Sequence, residues 1–234
     1  MSESLDKVRG VRELPVFPLP LVLFPGAPLP LHIFEERYRR MLADVRASNN
    51  LFGLSNFTPD VAGEDRPPAG HVGCATEVVE VQPLPDGRSN IMTVGVARYR
   101  VGEYVERGEP YLVARVEFFE DEEEDATVVG RRAEEVSGLF MRIARAMRTA
   151  NAERGALPEL PHDDPERLSF IVAAVVEMDA ETKQRLLETR STSERLRRLH
   201  TMLAQAVNSY EERARTHELA RGNGHAGKKV DFEE

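Results

Sequence analysis

The chain has 234 residues, 41% of them hydrophobic and 30% charged, so it is long enough to bury a substantial core and resembles ordinary globular proteins in composition. The net charge is −9, and residues 1–126 account for it, with 13 Lys and Arg against 22 Asp and Glu. Phosphate backbones and anionic lipids are bound by basic side chains, so this acidic half argues against nucleic acid and membrane surfaces as partners.

Cysteine usage and hydropathy point to a compartment. The single cysteine, Cys74, cannot form an internal disulfide and fits a reducing environment. The N-terminal residues lack the apolar core of a signal peptide, and no stretch approaches the ~20 apolar residues of a membrane span. We therefore expect a cytoplasmic protein, and the strong preference for arginine over lysine favours a bacterial source with a GC-rich genome.

Residues 13–34 (ELPVFPLPLVLFPGAPLPLHIF) combine large apolar side chains with six prolines. Because proline lacks an N–H, the pattern predicts short extended pieces joined by turns and excludes a central strand. The clearest turn is predicted at Pro25 and Gly26.

Residues 34–47 (FEERYRRMLADVRA) predict the first long helix. Phe34, Tyr38, Met41 and Val45 are spaced 4, 3 and 4 apart, which places them on one helical face. We expect this face to pack on the core.

Between residues 51 and 119 the pattern changes to strands. Alternating apolar and polar residues over 112–118 predict a half-buried strand, and Pro85-Asp86-Gly87 predicts a hairpin turn. The six consecutive acids of 120–125 are expected to repel one another and to form a solvated linker.

The remainder of the chain predicts helices. Apolar residues recur at spacings of 4 and 3 through residues 127–150, and Asp164 and Asp179 are placed to cap two further helices. The predicted organisation is α+β: a β-rich lobe over 10–119, an acidic linker over 120–126, a helical lobe over 127–212 and a disordered tail over 213–234.

Several motifs, in order along the chain, resemble the N-terminal domain family of Lon proteases. They begin with an opening signature and continue through strand, hairpin and helical motifs: Leu14–Leu19 (LPVFPL), Leu23–Gly26 (LFPG), Leu29–Tyr38 (LPLHIFEERY), Gly73–Val79 (GCATEVV), Leu84–Gly87 (LPDG), Val94–Val101 (VGVARYRV), Pro110–Ala114 (PYLVA), Glu181–Glu188 (ETKQRLLE) and Ser193–Leu196 (SERL). The resemblance covers roughly residues 13–210 and is nearest to free-standing bacterial members of the family.

The resemblance implies a fold and a role. It implies a PUA-like β pseudo-barrel followed by an all-α helical bundle, and a part in recognising unfolded or tagged proteins. It also implies a protein without the ATPase and Ser-Lys peptidase domains of Lon proteases, so we expect no enzyme activity.

Residues that could carry chemistry are few. Gly222–Lys228 has the spacing of a phosphate-binding loop, but Lys229 stands where Ser or Thr is needed and no strand precedes it. His71 and Cys74 could form a thiol pair or ligate a metal, but no second pair has zinc-site spacing. His32 is expected to be a hydrogen-bonded structural histidine. We expect no catalytic residue, cofactor or metal.

The surplus of large apolar residues in 13–34 suggests a binding surface. Most of these side chains must be core, and the rest are candidates for the wall of a groove between the lobes. The candidate binding and signature residues are Phe17, Phe24, Phe34, Glu35, Arg37, Tyr38 and Met41. Salt bridging and packing in the β-rich lobe is an alternative role for Glu35, Arg37 and Tyr38.

Three hypotheses remain open from the sequence. The first is a module that binds unfolded or specific client proteins, with the role of an adaptor or regulator of a separate ATP-dependent protease as a variant of it. The second is an RNA-binding protein, because PUA-like barrels can bind RNA, although the acidic first half opposes it. The third is an enzyme whose site has no recognisable motif.

Overall fold

The computed structural model describes residues 3–58, 65–151, 157 and 159–223. Within this part of the chain it has one mixed sheet and six helices, which confirms the α+β class. The strands are β1 (Glu13–Leu19), β2 (Pro28–Ile33), β3 (Leu51–Asn56), β4 (Val72–Pro83), β5 (Ser89–Tyr104) and β6 (Leu112–Phe119). The helices are α1 (Glu3–Lys7), α2 (Glu36–Arg46), α3 (Ala126–Ala150), α4 (Pro165–Val175), α5 (Ala180–Glu188) and α6 (Thr192–Asn223).

The sheet closes on itself. The strand order is β2-β5-β4-β3-β1-β6, and β6 also pairs with β5, so five strands form a ring and β2 is attached outside it. The 16-residue β5 makes this possible, because Ser89–Val94 pair with β2 and Arg98–Tyr104 pair with β6. The predicted hairpin joins β4 to β5, with Gly87 in the left-handed region at φ +80°.

The expectation that prolines exclude a central strand is wrong for β1. This strand lies between β3 and β6 although it contains Pro15 and Pro18. Its two pairings are staggered: residues 13–16 pair with β6 and residues 16–19 with β3. Each proline therefore lies where β1 has a neighbour on one side, so a missing N–H does not interrupt a ladder on both sides.

Strand β2 has a strand partner, β5, on one side within the described residues. The Gly95 N–H donates to Ala27 O at 3.0 Å, just before the β2 register begins with Pro28 opposite Val94. Hydrogen-bonded pairs alternate along an antiparallel ladder, so the nitrogens of Pro28 and Pro30 face away from β5. The open edge of β2 therefore lacks N–H donors at these two positions.

Helix α2 confirms the predicted buried face for three of the four residues assigned to it. Tyr38, Met41 and Val45 are buried in one cluster with Phe17 and Phe52 of the sheet. Phe34 is the exception: it precedes the helix, which begins at Glu36, and its side chain is exposed. Phe34 has the sequence spacing of the buried face, but because it lies outside the helix its side chain does not point in the same direction as that face.

A second cluster fills the ring around the fully buried Tyr99. The Tyr99 hydroxyl and the Ser55 hydroxyl are 2.9 Å apart. The ring of Tyr99 packs so close to Gly53 and Gly73 that a Cβ on either would lie 2.5–2.6 Å from its atoms. These two glycines are thus required by contact with Tyr99 rather than by backbone dihedral angles.

The chain divides into two compact units, whose boundaries differ from the predicted lobes. The first is Met1–Glu123 with Ser169–Thr192, and the second is Glu124–Leu168 with Ser193–Glu234. The segment Ser169–Thr192, which the sequence assigned to the helical lobe, therefore groups with the β ring. Where independently folding domains end stays a prediction.

Arg98 explains why this segment joins the ring. Its buried guanidinium donates to Leu187 O at 3.1 Å and to Thr189 O at 2.8 Å, and forms an ion pair with Asp121. Asp121 also accepts a hydrogen bond from the Thr192 hydroxyl. The expectation of a uniformly solvated acidic linker is therefore wrong at Asp121, because a buried cation compensates its charge.

In the second unit, α3 confirms the helix predicted from residues 127–150. Asp125 caps it by accepting from Thr127 N at 2.8 Å and Val128 N at 3.2 Å. An ion pair of 2.9 Å between Arg142 and Glu211 links α3 to α6.

The predicted caps of the two middle helices are also confirmed. Asp164 accepts from Arg167 N at 2.9 Å, and Asp179 accepts from Thr182 N at 2.7 Å. Helix α6 continues to Asn223, so the predicted tail of 213–234 begins as helix, and residues 224–234 lie outside the described residues.

Candidate functional site

A groove of about 440 Å³ opens on the first unit where β1 and β2 end and α2 begins. One wall comes from the segments around Phe17 and Phe34, and the other from the connection between β5 and β6. The groove is lined by Phe17, Pro18, Leu19, Leu31, His32, Ile33, Phe34, Glu35, Arg37, Tyr38, Asp65, Glu109, Pro110, Tyr111 and Leu112.

Phe34 is the most exposed large apolar side chain of the groove, with 59% of its surface accessible. It lies in the short connection between β2 and α2, and its ring stacks on His32 with 6.0 Å between centroids. His32 is in turn held by its Nδ1, 2.7 Å from Asn90 Oδ1, as expected for a structural histidine. The hydrogen bond between His32 and Asn90 thus fixes the imidazole ring on which the exposed Phe34 ring stacks.

Arg37 and Tyr38 form the floor beside Phe17. The rings of Phe17 and Tyr38 are 4.0 Å apart, and the Arg37 guanidinium lies 4.5 Å from the Tyr38 ring centroid. Arg37 also pairs with Glu35 at 2.9 Å. Burial raises the pKa of the Tyr38 hydroxyl, so it stays neutral over the physiological range.

Tyr111 forms the opposite wall. Its hydroxyl donates to Asp44 Oδ2 at 2.9 Å, and Asp44 also pairs with Arg40 at 2.9 Å, so α2 fixes the position of the tyrosine ring. Burial, followed by the hydrogen bond to Asp44, raises the pKa of Tyr111 to about 12. The hydrogen bond to Asp44 therefore holds the Tyr111 ring in place, and the face of the ring remains part of the groove wall.

The groove contains most, but not all, of the predicted binding residues. Five of the seven line it: Phe17, Phe34, Glu35, Arg37 and Tyr38. Met41 is buried under α2, and Phe24 is buried with its ring 6.1 Å from that of Phe170, so neither lines the groove. The groove is formed by the first unit alone.

Sequence reasoning missed the second wall. Tyr111 lies in the segment Pro110–Ala114, which resembles a strand of the family, and Glu109 directly precedes this segment. Nothing in the sequence pattern indicated that these residues are exposed or that Tyr111 contacts α2. The polar residue Glu109 beside Pro110 was the available signal, since such pairs are typical of surface connections.

Two of the residues considered for chemistry lie at the start of β4: His71 directly before it and Cys74 within it. Cys74 is fully buried, and burial raises the pKa of its thiol to about 12, so the thiolate is scarce near neutrality. Burial lowers the pKa of His71. Among the residues that the structure describes, no three His, Cys, Asp or Glu side chains are grouped as metal ligands, and no helix is both long and apolar enough to cross a membrane. Lys228 lies outside the described residues.

The groove is partly apolar, and its volume lies within the range of ligand-binding clefts in proteins. A comparison with protein families identifies the class of domain. The chain belongs to the family described as the ATP-dependent protease La (LON) substrate-binding domain, whose model matches residues 13–205.

Curated relatives are full Lon proteases. The chain is 26% identical over 201 residues to Lon protease 2 of Herpetosiphon aurantiacus, covering 85% of this chain and 24% of that protein. It is 30% identical over 189 residues to the Lon protease of Anaeromyxobacter dehalogenans, covering 75% and 21% respectively. The chain thus spans about a quarter of the length of the relatives that it matches.

Solved structures agree on the fold. A Lon N-terminal domain protein from Xanthomonas campestris aligns with a TM-score of 0.59 at 22% identity, covering 81% of this chain and 97% of that one. The N-terminal domain of the Mycobacterium avium complex Lon protease gives a TM-score of 0.63 at 18% identity, with 82% and 98% covered. The α+β architecture is therefore that of Lon N-terminal domains.

Proposed function

We propose that the chain is a non-catalytic protein-binding module that recognises unfolded or specific client proteins through the groove around Phe34. The carrying observation is the 59% exposure of this large aromatic side chain in a concave surface. An apolar side chain of a client that covers Phe34 would remove apolar surface from water on both molecules. Unfolded chains offer such side chains, and folded proteins mostly bury them.

The dimensions of the groove support this kind of ligand. A volume of about 440 Å³ is near the lower end of small-ligand sites and suits one or two large side chains. Aromatic rings such as Phe34 and Tyr111 offer contact area with few rotatable bonds, which limits the entropy lost on binding. The groove would therefore select side-chain size more than sequence.

The edge of β2 supports side-chain recognition over strand addition. A client strand added to β2 would need N–H donors from the outward-facing positions, which Pro28 and Pro30 cannot supply. A client would then be held by its side chains in the groove, with its backbone left free for other partners.

The relatives suggest the process that such binding serves. Since the matched proteins are Lon proteases, we propose that bound clients are destined for proteolysis, either directly or with this chain as an adaptor of a separate protease. The single buried cysteine is compatible with the reducing cytoplasm as its compartment.

Fluorescence anisotropy with a labelled, permanently unfolded polypeptide tests the proposal, with the folded form of the same polypeptide as control. We expect saturable binding of the unfolded form alone, unchanged by ATP and not displaced by total RNA at low salt. Absence of saturation with the unfolded form would overturn the recognition of unfolded clients, and displacement by RNA would support the RNA-binding alternative instead.

A pair of variants assigns the binding to the groove. Phe34→Ser should weaken binding by about tenfold, as expected for loss of an aromatic anchor. Val79→Ser is the matched control, because Val79 is also an exposed large apolar residue, at 51%, but does not line the groove. Equal effects of the two substitutions would show that general surface hydrophobicity, and not the groove, binds the client.

A further inference from the structure

The walls of the groove carry an excess of negative charge. Three carboxylates, Glu35, Asp65 and Glu109, line it beside one guanidinium, that of Arg37. Arg37 is paired with Glu35 at 2.9 Å, so these two charges largely cancel. Asp65 and Glu109 remain as the acids facing an apolar groove.

These two acids are weakly compensated. Asp65 is 82% exposed, and its cation Arg66 is 3.7 Å away and lies over the ring of Tyr104, at 4.9 Å from the centroid. Glu109 has no cation within 4.0 Å in the part of the chain that the structure describes. Its negative charge acts on Tyr111, whose raised pKa it helps to maintain after burial and Asp44.

We propose that the groove prefers client segments in which a large apolar residue is flanked by lysine or arginine. The proposal rests on the proposed function and names the class of segment that the same site selects. An apolar side chain enters beside Phe34, while a neighbouring basic side chain reaches Glu109 or Asp65 on the opposite rim. The long apolar stems of Lys and Arg suit this position, because they can cover the groove wall while the charge stays at the rim.

The wider charge distribution acts in the same direction. Residues 1–126, which contain every residue of the groove, carry 13 basic and 22 acidic side chains. An acidic field attracts basic segments over distances of about one Debye length and repels acidic ones. Selection by charge should therefore appear mainly in association rates and should weaken with added salt.

Three short fluorescent peptides test the proposal, with the same Phe- and Leu-containing centre flanked by lysine, glutamine or glutamate. At low salt, we expect the lysine-flanked peptide to bind about tenfold more tightly than the glutamate-flanked one, with glutamine between. In about 1 M salt the ratio should fall to about twofold, because screening shortens the reach of exposed charges to about 3 Å.

The outcomes separate this inference from the proposed function. If none of the three peptides binds, the proposed client binding itself fails. If all three bind with equal affinity at low salt, the groove binds apolar segments and the charge preference is overturned.

Substitutions on the rim locate the preference. In the double variant Asp65→Asn with Glu109→Gln, we expect the lysine-to-glutamate ratio to fall to about threefold at low salt, with little change for the glutamine-flanked peptide. Glu117→Gln is the matched control, since Glu117 is an exposed acid of β6 outside the groove lining. An unchanged ratio in the double variant would overturn the assignment to this rim, and circular dichroism checks that both variants fold.

Discussion

Two arginine–carboxylate pairs in the first unit have the same chemistry and opposite surroundings. Arg98 and Asp121 are 1% and 5% exposed, whereas Arg37 and Glu35 are 52% and 41% exposed. A pair in water contributes little to stability, because solvent already stabilises both charges. A buried pair is costly to form and still more costly to break, because removing one partner leaves the other charge without solvent.

The aromatic contacts follow the same division. The Arg98 guanidinium lies 4.6 Å from the ring centroid of Phe119 in β6 and 5.1 Å from that of Phe170 in α4. Arg98 therefore connects the ring of strands to α4. Arg37 lies over the ring of Tyr38 at the open groove. The comparison teaches that burial, and not residue type, separates an arginine that fixes the fold from one that is available to a partner.

The largest expected effect comes from removing the buried cation. Arg98→Met should lower the free energy of unfolding by about 3–5 kcal/mol, because Asp121 loses the cation that compensates its charge and two backbone carbonyls lose a hydrogen-bond donor. Arg100→Met is the control: Arg100 lies over the same Phe119 ring but is only partly buried, and a loss under about 1 kcal/mol is expected. Urea denaturation measures both, and similar losses would contradict the distinction.

A smaller effect is expected from the second partner of Asp121. Thr192→Val keeps the shape of the side chain and removes the hydroxyl that donates to Asp121, so a loss of about 1–3 kcal/mol follows. Thr201→Val, at an exposed threonine that bonds to its own helix, should cost under about 0.5 kcal/mol. Equal thermal unfolding of the two variants would show that Asp121 needs only Arg98.

Tyr111→Phe removes one hydrogen bond to Asp44 at the groove and should cost about 0.5–1.5 kcal/mol at neutral pH. The pKa of Tyr111 is raised to about 12 from an ordinary value of 10, so its contribution to stability is complete below pH 10 and is lost as the pH rises through 12. Denaturation at increasing alkaline pH should therefore show a shallower decline for the variant than for the unaltered chain. An identical decline would place the tyrosine outside a buried environment.

The smallest effect is expected at the exposed pair. Arg37→Met should change the free energy of unfolding by at most about 1 kcal/mol, and about 1 M salt should remove the difference. Denaturation at low and high salt measures this directly. A loss as large as that of Arg98→Met would mean that the groove residues hold the fold, as the alternative role for the signature motif predicts.

The helices, their caps and the β4–β5 turn could be predicted from short stretches of sequence. Spacing identified α2 and α3, and the caps Asp164 and Asp179 each accept the expected backbone hydrogen bond. These features depend on residues within a few positions of one another, which periodicity and capping rules describe. The turn at Gly87 was predictable for the same reason.

Other features of the structure depend on residues that are distant in the sequence. The burial of Asp121 depends on Arg98, and the grouping of residues 169–192 with the ring depends on the carbonyls that the same arginine binds. Of the predicted binding residues, Phe24 lies against Phe170 and Met41 packs with Phe17 and Phe52 of the sheet, so neither reaches the groove. No pattern within a short window contains this information.

The prolines of β2 also bear on whether the protein would aggregate with unfolded chains. A protein that collects unfolded chains brings exposed, unpaired backbone to its own surface, where an open strand edge could seed a growing intermolecular sheet. With the nitrogens of Pro28 and Pro30 turned towards that edge, an added strand would miss two hydrogen bonds, which disfavours the first step of such growth. If the groove binds clients as proposed, the same two residues would let the protein hold them by their side chains while resisting coaggregation with them.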